Sequence, residues 1–193
     1  MRKLILVAHS SFDGFVAGPR GEFDNFIGGE ENLEFVCGLT DNADAALFGR
    51  RAYELLNSDW PTAAERPGAT KAVVKYSNWY NRVPKYVLST TLPPGSSENT
   101  HIIGHNITDE INKLKQPGEH GSKTILMFGG PTAVYSMMKL NLLDAFWLLI
   151  HPVIFGEGIS LFKHDVRRVI RLDLADTQRL SNGMVALLYF LEK

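Results

Sequence analysis

The chain has 193 residues, of which 45% are apolar and 21% charged, and its formal net charge is −1. This length predicts a single domain, spanning residues 1–193, that can bury its apolar core without disulfides or metals. The balanced charge provides no electrostatic basis for binding nucleic acid or an anionic membrane. The single cysteine, Cys37, excludes a disulfide scaffold. Every apolar run is too short to span a bilayer, so we expect a cytoplasmic protein.

Strands and helices are predicted to alternate along most of the chain. Residues 4–8 form a continuous apolar run typical of a buried strand. A long loop rich in glycine follows at 11–29, and loops of this length are usually functional or mobile. Further elements are predicted as follows: helices at 30–39, 50–57 and 69–77, a helix capped by Thr108, a helix starting at Pro131, and strands at 45–48, 85–89, 102–103, 124–128, 144–151, 168–174 and 184–191.

Most of these strands are separated by helices, whereas the last two are not. Strands joined through helices pair in parallel, and strands joined by a short turn pair antiparallel. The pattern therefore predicts an α/β fold with helices on both faces of a mixed, mostly parallel sheet and an antiparallel pair at its C-terminal end.

The strand at 124–128 runs directly into Gly129 and Gly130, and Pro131 then opens a helix. Glycines let another group approach the backbone closely. The free N–H groups at a helix start favour a phosphate, with donors expected from Gly130 and Thr132. The segment lacks the third glycine of a dinucleotide-binding fingerprint and the Gly-Lys-Ser/Thr of a Walker loop. A plain strand-to-helix turn remains the alternative interpretation.

A second junction of this kind runs through Gly49, Arg50 and Arg51. Two arginines at a helix start oppose the helix dipole unless an anion such as a phosphate offsets them. Solvated arginines are the alternative interpretation.

A third strand end carries three hydroxyls in the run Ser89-Thr90-Thr91. They suit a phosphate or ribose, and a capped turn is the alternative. Ligands of open α/β sheets gather beyond the carboxyl ends of the strands. The three strand ends together therefore predict an adenine dinucleotide carrying a 2′-phosphate.

The sequence resembles the dihydrofolate reductase superfamily, in particular the branch similar to the reductase domain of the riboflavin-biosynthesis deaminase-reductases. The matching segments follow the family's order along nearly the whole chain, at residues 11–18, 48–50, 88–91, 128–130 and 152–158. The resemblance implies a dihydrofolate-reductase-like, three-layer αβα domain that binds NADPH.

The resemblance also implies a role for individual residues toward NADPH. They are Gly49, Arg50 and Arg51 at the 2′-phosphate with Ser89 and Thr90 beside it, Gly129, Gly130, Pro131 and Thr132 at the pyrophosphate, and Ala17 and Gly18 beside the nicotinamide. The family further suggests a cis peptide bond between Gly129 and Gly130. Ala52 departs from the pattern, since folate reductases carry a phosphate-binding threonine there.

The implied activity is hydride transfer from NADPH to a small heterocyclic substrate that resembles a pterin, a pyrimidine or a flavin precursor. The reaction also needs a proton, from a carboxylic acid or an ordered water. Asp24 and Glu31 are the candidate acids, with a solvated charge as the alternative for each. The carboxylate context of folate reductases is absent, so a non-catalytic NADP-binding protein remains the alternative function. No metal site is predicted. The apolar run around Phe146 and Trp147, with the family resemblance, indicates a homodimer.

Overall fold

The structure is a computed structural model that describes residues 1–93, 99–117, 123–162 and 169–192. Its strands are β1 (Leu4–Ser10), β2 (Phe15–Ala17), β3 (Ala43–Gly49), β4 (Lys85–Leu88), β5 (Thr100–Ile103), β6 (Thr124–Phe128), β7 (Ala145–Ile150), β8 (Ile159–Ser160), β9 (Leu172–Arg179) and β10 (Val185–Leu191). Its helices are α1 (Glu30–Thr40), α2 (Arg50–Ala63), α3 (Lys71–Arg82), α4 (Ile107–Leu114) and α5 (Pro131–Lys139).

Within the described residues, eight strands form one sheet in the order β5-β4-β3-β6-β1-β7-β10-β9. The first six strands in this order, β5 to β7 across the sheet, pair in parallel with their neighbours. Strand β10 is antiparallel to both β7 and β9. This arrangement confirms the predicted mixed sheet and its antiparallel C-terminal pair. It also brings the carboxyl ends of the parallel strands to one edge of the sheet.

Two apolar cores fill the space between the sheet and the helices. Ile5 and Val7 of β1 pack on one face with side chains from α1, α2 and α3. Leu4 and Leu6 point to the other face and pack with side chains from α4 and α5. Successive strand residues face opposite sides, and here both sides are covered, which explains the continuous apolar run of β1. The predicted three-layer αβα architecture is confirmed.

The predicted loop at 11–29 was only partly correct, because it contains the strand β2. Its antiparallel partner is β8, with Phe15 opposite Ser160. Each strand is at most three residues long, so neither has a sequence pattern of its own. This small sheet forms only because the two distant loops pack together.

Several predicted helix and strand bounds were also wrong. Helix α2 continues through Pro61 to Ala63 rather than ending at residue 57. Thr108 does not cap α4, because that helix begins after Asn106, which adopts the left-handed conformation at φ 50°. Strand β9 covers Leu172–Arg179, and the predicted start of this strand at residue 168 lies outside the described residues.

No helix in the described part of the chain has both the length and the apolar character that crossing a membrane requires.

Candidate functional site

The two glycine junctions lie side by side at the carboxyl edge of the sheet. Parallel pairing of β3 with β6 places Phe48 opposite Phe128, and their rings stack with centroids 5.5 Å apart. A Cβ atom added to Gly129 would lie 3.5 Å from the backbone nitrogen of Gly49 and 3.2 Å from the Cβ of Ala133. The backbones therefore approach each other at a distance that favours glycine at these positions.

Both junctions deliver the chain to a helix start without a side-chain cap. Gly49 precedes α2 with φ −76° and ψ 151°, and Gly130 precedes α5 with φ −74° and ψ 176°. Neither N-terminus receives a capping hydrogen bond from its N-cap side chain. At the start of α5, Pro131 has no N–H and the Ala133 N–H already donates to the Gly130 carbonyl oxygen at 3.1 Å, which leaves the N–H groups of Gly130 and Thr132 for an anion. The dipoles of both helices favour an anion at these positions.

The backbone at Gly130 leaves space for a ligand. A Cβ atom added there would meet no atom within 4 Å. The peptide bond between Gly129 and Gly130 is trans, as are the other peptide bonds of the described residues, so the prediction of a cis bond was wrong. The extended conformation of Gly130 already carries the chain to Pro131 at the first helical position, as proline favours.

The arginine pair at the start of α2 lies on the surface, and its two members differ. Nη1 of Arg50 lies 3.0 Å from Oε1 of Glu54, four residues later. Its charge is therefore partly offset within the chain, and its role toward a phosphate stays a prediction. The four-residue spacing of Arg50 and Glu54, which allows an ion pair on one helix face, could be read from the sequence. Arg51 is exposed and forms no ion pair with another described residue.

The hydroxyl run after β4 lies at the same edge, because Leu88 is the pairing partner of Gly49. The hydroxyl oxygen of Ser89 accepts hydrogen bonds from the backbone N–H groups of Thr91, at 3.2 Å, and Leu92, at 3.0 Å. The capped turn, which was the alternative interpretation of this run, is therefore present at Ser89. The side chains of Thr90 and Thr91 are exposed, and their role toward a ribose or phosphate stays a prediction.

Asp13 connects the segments 11–18 and 152–158, which the sequence analysis identified separately. Its Oδ1 accepts hydrogen bonds from the Ser11 hydroxyl at 2.6 Å and from the Phe155 N–H at 3.1 Å, and its Oδ2 accepts from the Gly156 N–H at 2.8 Å. The Ser11 hydroxyl, with the backbone donors, holds the pKa of Asp13 below its ordinary value. The long loop after β1 is thereby attached to the segment 152–158.

A cavity of about 440 Å³ lies between these two segments, lined by Gly18, Pro19, Arg20, Glu22, Asn25, Phe155 and Glu157. Gly18 was predicted to border the nicotinamide, and its neighbour Ala17 is buried. A Cβ atom added to Gly158 would lie 2.4 Å from the carbonyl oxygen of Ala17. Glycine at this position therefore allows the two segments to come together.

The two predicted proton donors occupy different surroundings. The Glu31 carboxylate accepts hydrogen bonds from the Ser181 N–H at 2.7 Å, the Ser181 hydroxyl at 2.5 Å and the Asn182 N–H at 3.3 Å. These donors, led by the Ser181 hydroxyl, lower the pKa of Glu31. A carboxyl group held ionised is a poor acid at neutral pH, which argues against the predicted role. Asp24 is exposed and makes no ion pair within the described residues.

A histidine pair that the sequence analysis missed lies at the same edge of the sheet. Nδ1 of His9, near the end of β1, lies 2.8 Å from Nε2 of His151, just after β7. The Phe26 ring packs against both imidazoles, with centroids 6.3 Å from His9 and 4.5 Å from His151. The histidines are 142 positions apart, so their spacing carried no signal.

Burial controls the protonation of this pair. It lowers the pKa of His9 from 6.5 to about 4, with a smaller contribution from the neighbouring His151. Burial also lowers the pKa of His151 from 6.5 to about 4, and only 1% of that residue is exposed. Both imidazoles are therefore neutral at neutral pH.

The sheet order, the three layers and the strand-end junctions define an α/β protein of the dihydrofolate-reductase-like fold. The family model of the RibD C-terminal domain matches residues 2–186, so the chain belongs to this family. The "Uncharacterized protein YyaP" of Bacillus subtilis (strain 168) is 35% identical over 193 residues, covering 97% of this chain and 94% of that protein.

Two solved structures agree with this fold. A putative riboflavin biosynthesis protein from Shewanella sp. PV-4 has a TM-score of 0.70 at 18% identity, with 100% of both chains covered. A dihydrofolate reductase from Enterococcus faecalis, complexed with NADP(H), has a TM-score of 0.63 at 13% identity, with 99% of this chain and 97% of that chain covered. The predicted fold and family are confirmed.

Proposed function

We propose that this protein is an NADPH-dependent oxidoreductase that transfers a hydride to a small heterocyclic substrate, similar to a pterin, a pyrimidine or a flavin precursor. Membership of the RibD C-terminal domain family supports a reductase-like protein. The structurally similar dihydrofolate reductase, which was solved with NADP(H), supports the choice of cofactor.

The adjacent junctions at Gly49 and Gly129 carry this proposal. Two uncapped helix starts meet there, next to the open space beside Gly130. This donor set suits the phosphates of a dinucleotide, because N–H groups and two dipole ends converge on one place. Gly130 and Thr132 would hold the pyrophosphate, and Gly49, Arg50 and Arg51 would hold the 2′-phosphate.

NADPH supplies the hydride when it is bound, and the chain's own residues have the tasks of binding, orientation and exclusion of water. The segment from Ala17 to Gly18 would border the nicotinamide, held in position by the Asp13 contacts with Phe155 and Gly156. Positioning of this kind accelerates a bimolecular reaction because it removes the entropic cost of encounter.

The arginines provide the test of cofactor choice. Arg50→Ala and Arg51→Ala are each expected to weaken NADPH binding by about 10-fold or more, the value of one charge-assisted hydrogen bond. NADH lacks the 2′-phosphate, so its affinity should change little. The measurement is isothermal titration calorimetry with both cofactors. The control is Arg66→Ala, which removes an equal charge from a surface pair with Asp59.

Equal losses for NADPH and NADH in both arginine variants would contradict the assignment of the 2′-phosphate. A wild-type protein that binds neither cofactor would contradict the proposed function itself.

The non-catalytic alternative also has an observation in its favour. Glu31 is engaged by the turn at Ser181, and Asp24 is exposed in its loop. The pKa of Glu31 is lowered, and neither carboxylate is buried in the way that favours a general acid. The two functions are separated by a panel of oxidised pterins, pyrimidines and flavin precursors. Binding of NADPH without its oxidation by any member of the panel would favour the non-catalytic function.

We also propose that the chain forms a homodimer, though not through the residues first indicated. Phe146 and Trp147 are 2% and 6% exposed, so both belong to the core rather than to an interface. Edge strand β9 is exposed along its whole length, including Leu174. Light scattering after gel filtration tests the proposal, and a monomeric mass at high protein concentration would contradict it.

A further inference from the structure

The hydrogen bonds around the histidine pair determine where each proton lies. The backbone N–H of Ile27 donates to Nδ1 of His151 at 3.2 Å, so Nδ1 of His151 carries no proton. A neutral imidazole holds one proton, which must then be on Nε2 of His151. That Nε2–H donates to Nδ1 of His9, and the remaining proton of the pair must be on Nε2 of His9. The backbone of Ile27 therefore sets the tautomer of both rings.

Nε2 of His9 is the open end of this chain of hydrogen bonds. It forms no hydrogen bond with another described residue, and His9 is partly exposed whereas His151 is buried. Among the described residues, Nε of Arg2 is the one fully buried side-chain nitrogen or oxygen atom that lacks a hydrogen-bond partner. Nε2 of His9 also lacks a partner among them, so it is not fully buried. Nε2 of His9 therefore keeps some contact with solvent.

The position of His9 places this donor at the edge where ligands of such sheets bind. His9 pairs with Leu149 near the carboxyl end of β1, and β1 lies beside β6, which ends next to Gly129. The Phe26 ring lies beside the imidazole, with the two ring centroids 6.3 Å apart. Ligands of open α/β sheets bind beyond this edge.

The chemistry of the pair favours hydrogen bonding over proton donation. Both imidazoles are neutral at neutral pH because burial lowers the pKa of each to about 4. Loss of a proton from a neutral imidazole would leave an unstable anion, so His9 is not a general acid. A neutral imidazole with a fixed Nε2–H is instead an effective donor to a carbonyl oxygen or an unprotonated ring nitrogen.

We propose that His9, held in one tautomer by His151 and the backbone of Ile27, is a specificity-determining residue whose Nε2–H donates to a ring carbonyl oxygen of a planar heterocyclic substrate. This inference rests on the proposed function for the identity of the substrate. It selects an oxo-substituted ring over the same ring with an amino group, because an amino group offers a second donor where an acceptor is needed.

Two probes of nearly equal shape test the selection, namely isocytosine, a 2-amino-4-oxopyrimidine, and 2,4-diaminopyrimidine. Protein labelled with ¹⁵N at histidine is observed by long-range ¹H–¹⁵N NMR at neutral pH. We expect both His9 and His151 to show the neutral Nε2–H tautomer, and isocytosine to shift the Nε2 signal of His9 more than 2,4-diaminopyrimidine does. An imidazolium or Nδ1–H form of either ring would overturn the proposal.

Variants of His9 give a second readout. His9→Leu removes the donor and should weaken isocytosine binding by about 3- to 10-fold, the value of one neutral hydrogen bond. His9→Gln keeps an N–H donor near the position of Nε2 and should recover part of the loss. The control is His101→Leu, at an exposed position. Isocytosine affinity that is no higher for the wild-type protein than for His9→Leu, including no binding to either, would overturn the proposal.

These measurements are made with and without NADP⁺, and the thermal shift with NADPH is recorded separately. Failure of NADPH to stabilise the wild-type protein would count against the proposed function alone. The tautomers and the loss in His9→Leu would still decide the role of His9.

Discussion

The close approach of Gly49 to helix α5 leads to a prediction about stability. A Cβ atom added to Gly49 would lie 3.0 Å from the Cβ of Ala133. Both carbons are attached directly to the backbone, so no rotamer change can relieve the contact, and β3 and α5 must separate. Overpacking of this kind costs about 1–3 kcal/mol. The φ of Gly49, −76°, suits alanine, so backbone strain adds nothing.

Gly130→Ala is a matched control for Gly49→Ala. Gly130 also precedes a helix, has a φ of −74°, and would place its Cβ in open space. The effect of alanine on the N-cap position is therefore similar in both variants, although Pro131 adds a restriction on the unfolded chain at position 130. We expect Gly49→Ala to be less stable than Gly130→Ala by about 1–3 kcal/mol.

Urea unfolding followed by tryptophan fluorescence measures this difference. The double variant Gly49→Ala/Ala133→Gly removes the contact, and it should be more stable than the sum of the single changes predicts. Ala133→Gly alone should cost about 1 kcal/mol as a helix substitution. Equal stabilities of Gly49→Ala and Gly130→Ala, or additive effects in the double variant, would refute the reasoning.

Three further predictions concern the cofactor, pH and loop attachment. Gly130→Ala should weaken NADPH binding in calorimetry because its methyl group enters the open space at the start of α5, and unchanged affinity would show that no phosphate lies there. Unfolded histidines bind protons below pH 6.5, whereas His9 and His151 stay neutral to about pH 4. The stability that depends on the two neutral imidazoles is therefore fully present above pH 6.5. The free energy of unfolding should fall between pH 6.5 and 5 by up to about 2 kcal/mol per imidazole. Urea unfolding midpoints measured across this pH range test the prediction. An equal fall in the double variant His9→Leu/His151→Phe, which lacks both imidazoles, would contradict it. Asp13→Asn should speed amide hydrogen exchange at Phe155 and Gly156, which donate to its carboxylate; unchanged protection would count against the attachment.

The helices and the larger strands could be predicted from the sequence because their signals are local. The apolar run of β1 reflects burial on both faces of the sheet. Gly129 and Pro131 indicate a strand end and a helix start in adjacent positions. Parallel strands end at one edge of a sheet, so the order of elements predicted that both junctions lie at this edge. Only the pairing of β3 with β6 brought Gly49 next to Gly129.

Contacts between distant residues were decided by the tertiary structure. His9 and His151 are 142 positions apart, and the carboxylate of Asp13 meets Gly156 across 143 positions. Glu31 binds the turn at Ser181. Such pairs depend on how loops pack after the sheet has formed, and local backbone preferences carry no information about that packing. The sequence by itself therefore determined the class of fold, while the packing of the loops decided which acids and imidazoles surround the strand ends.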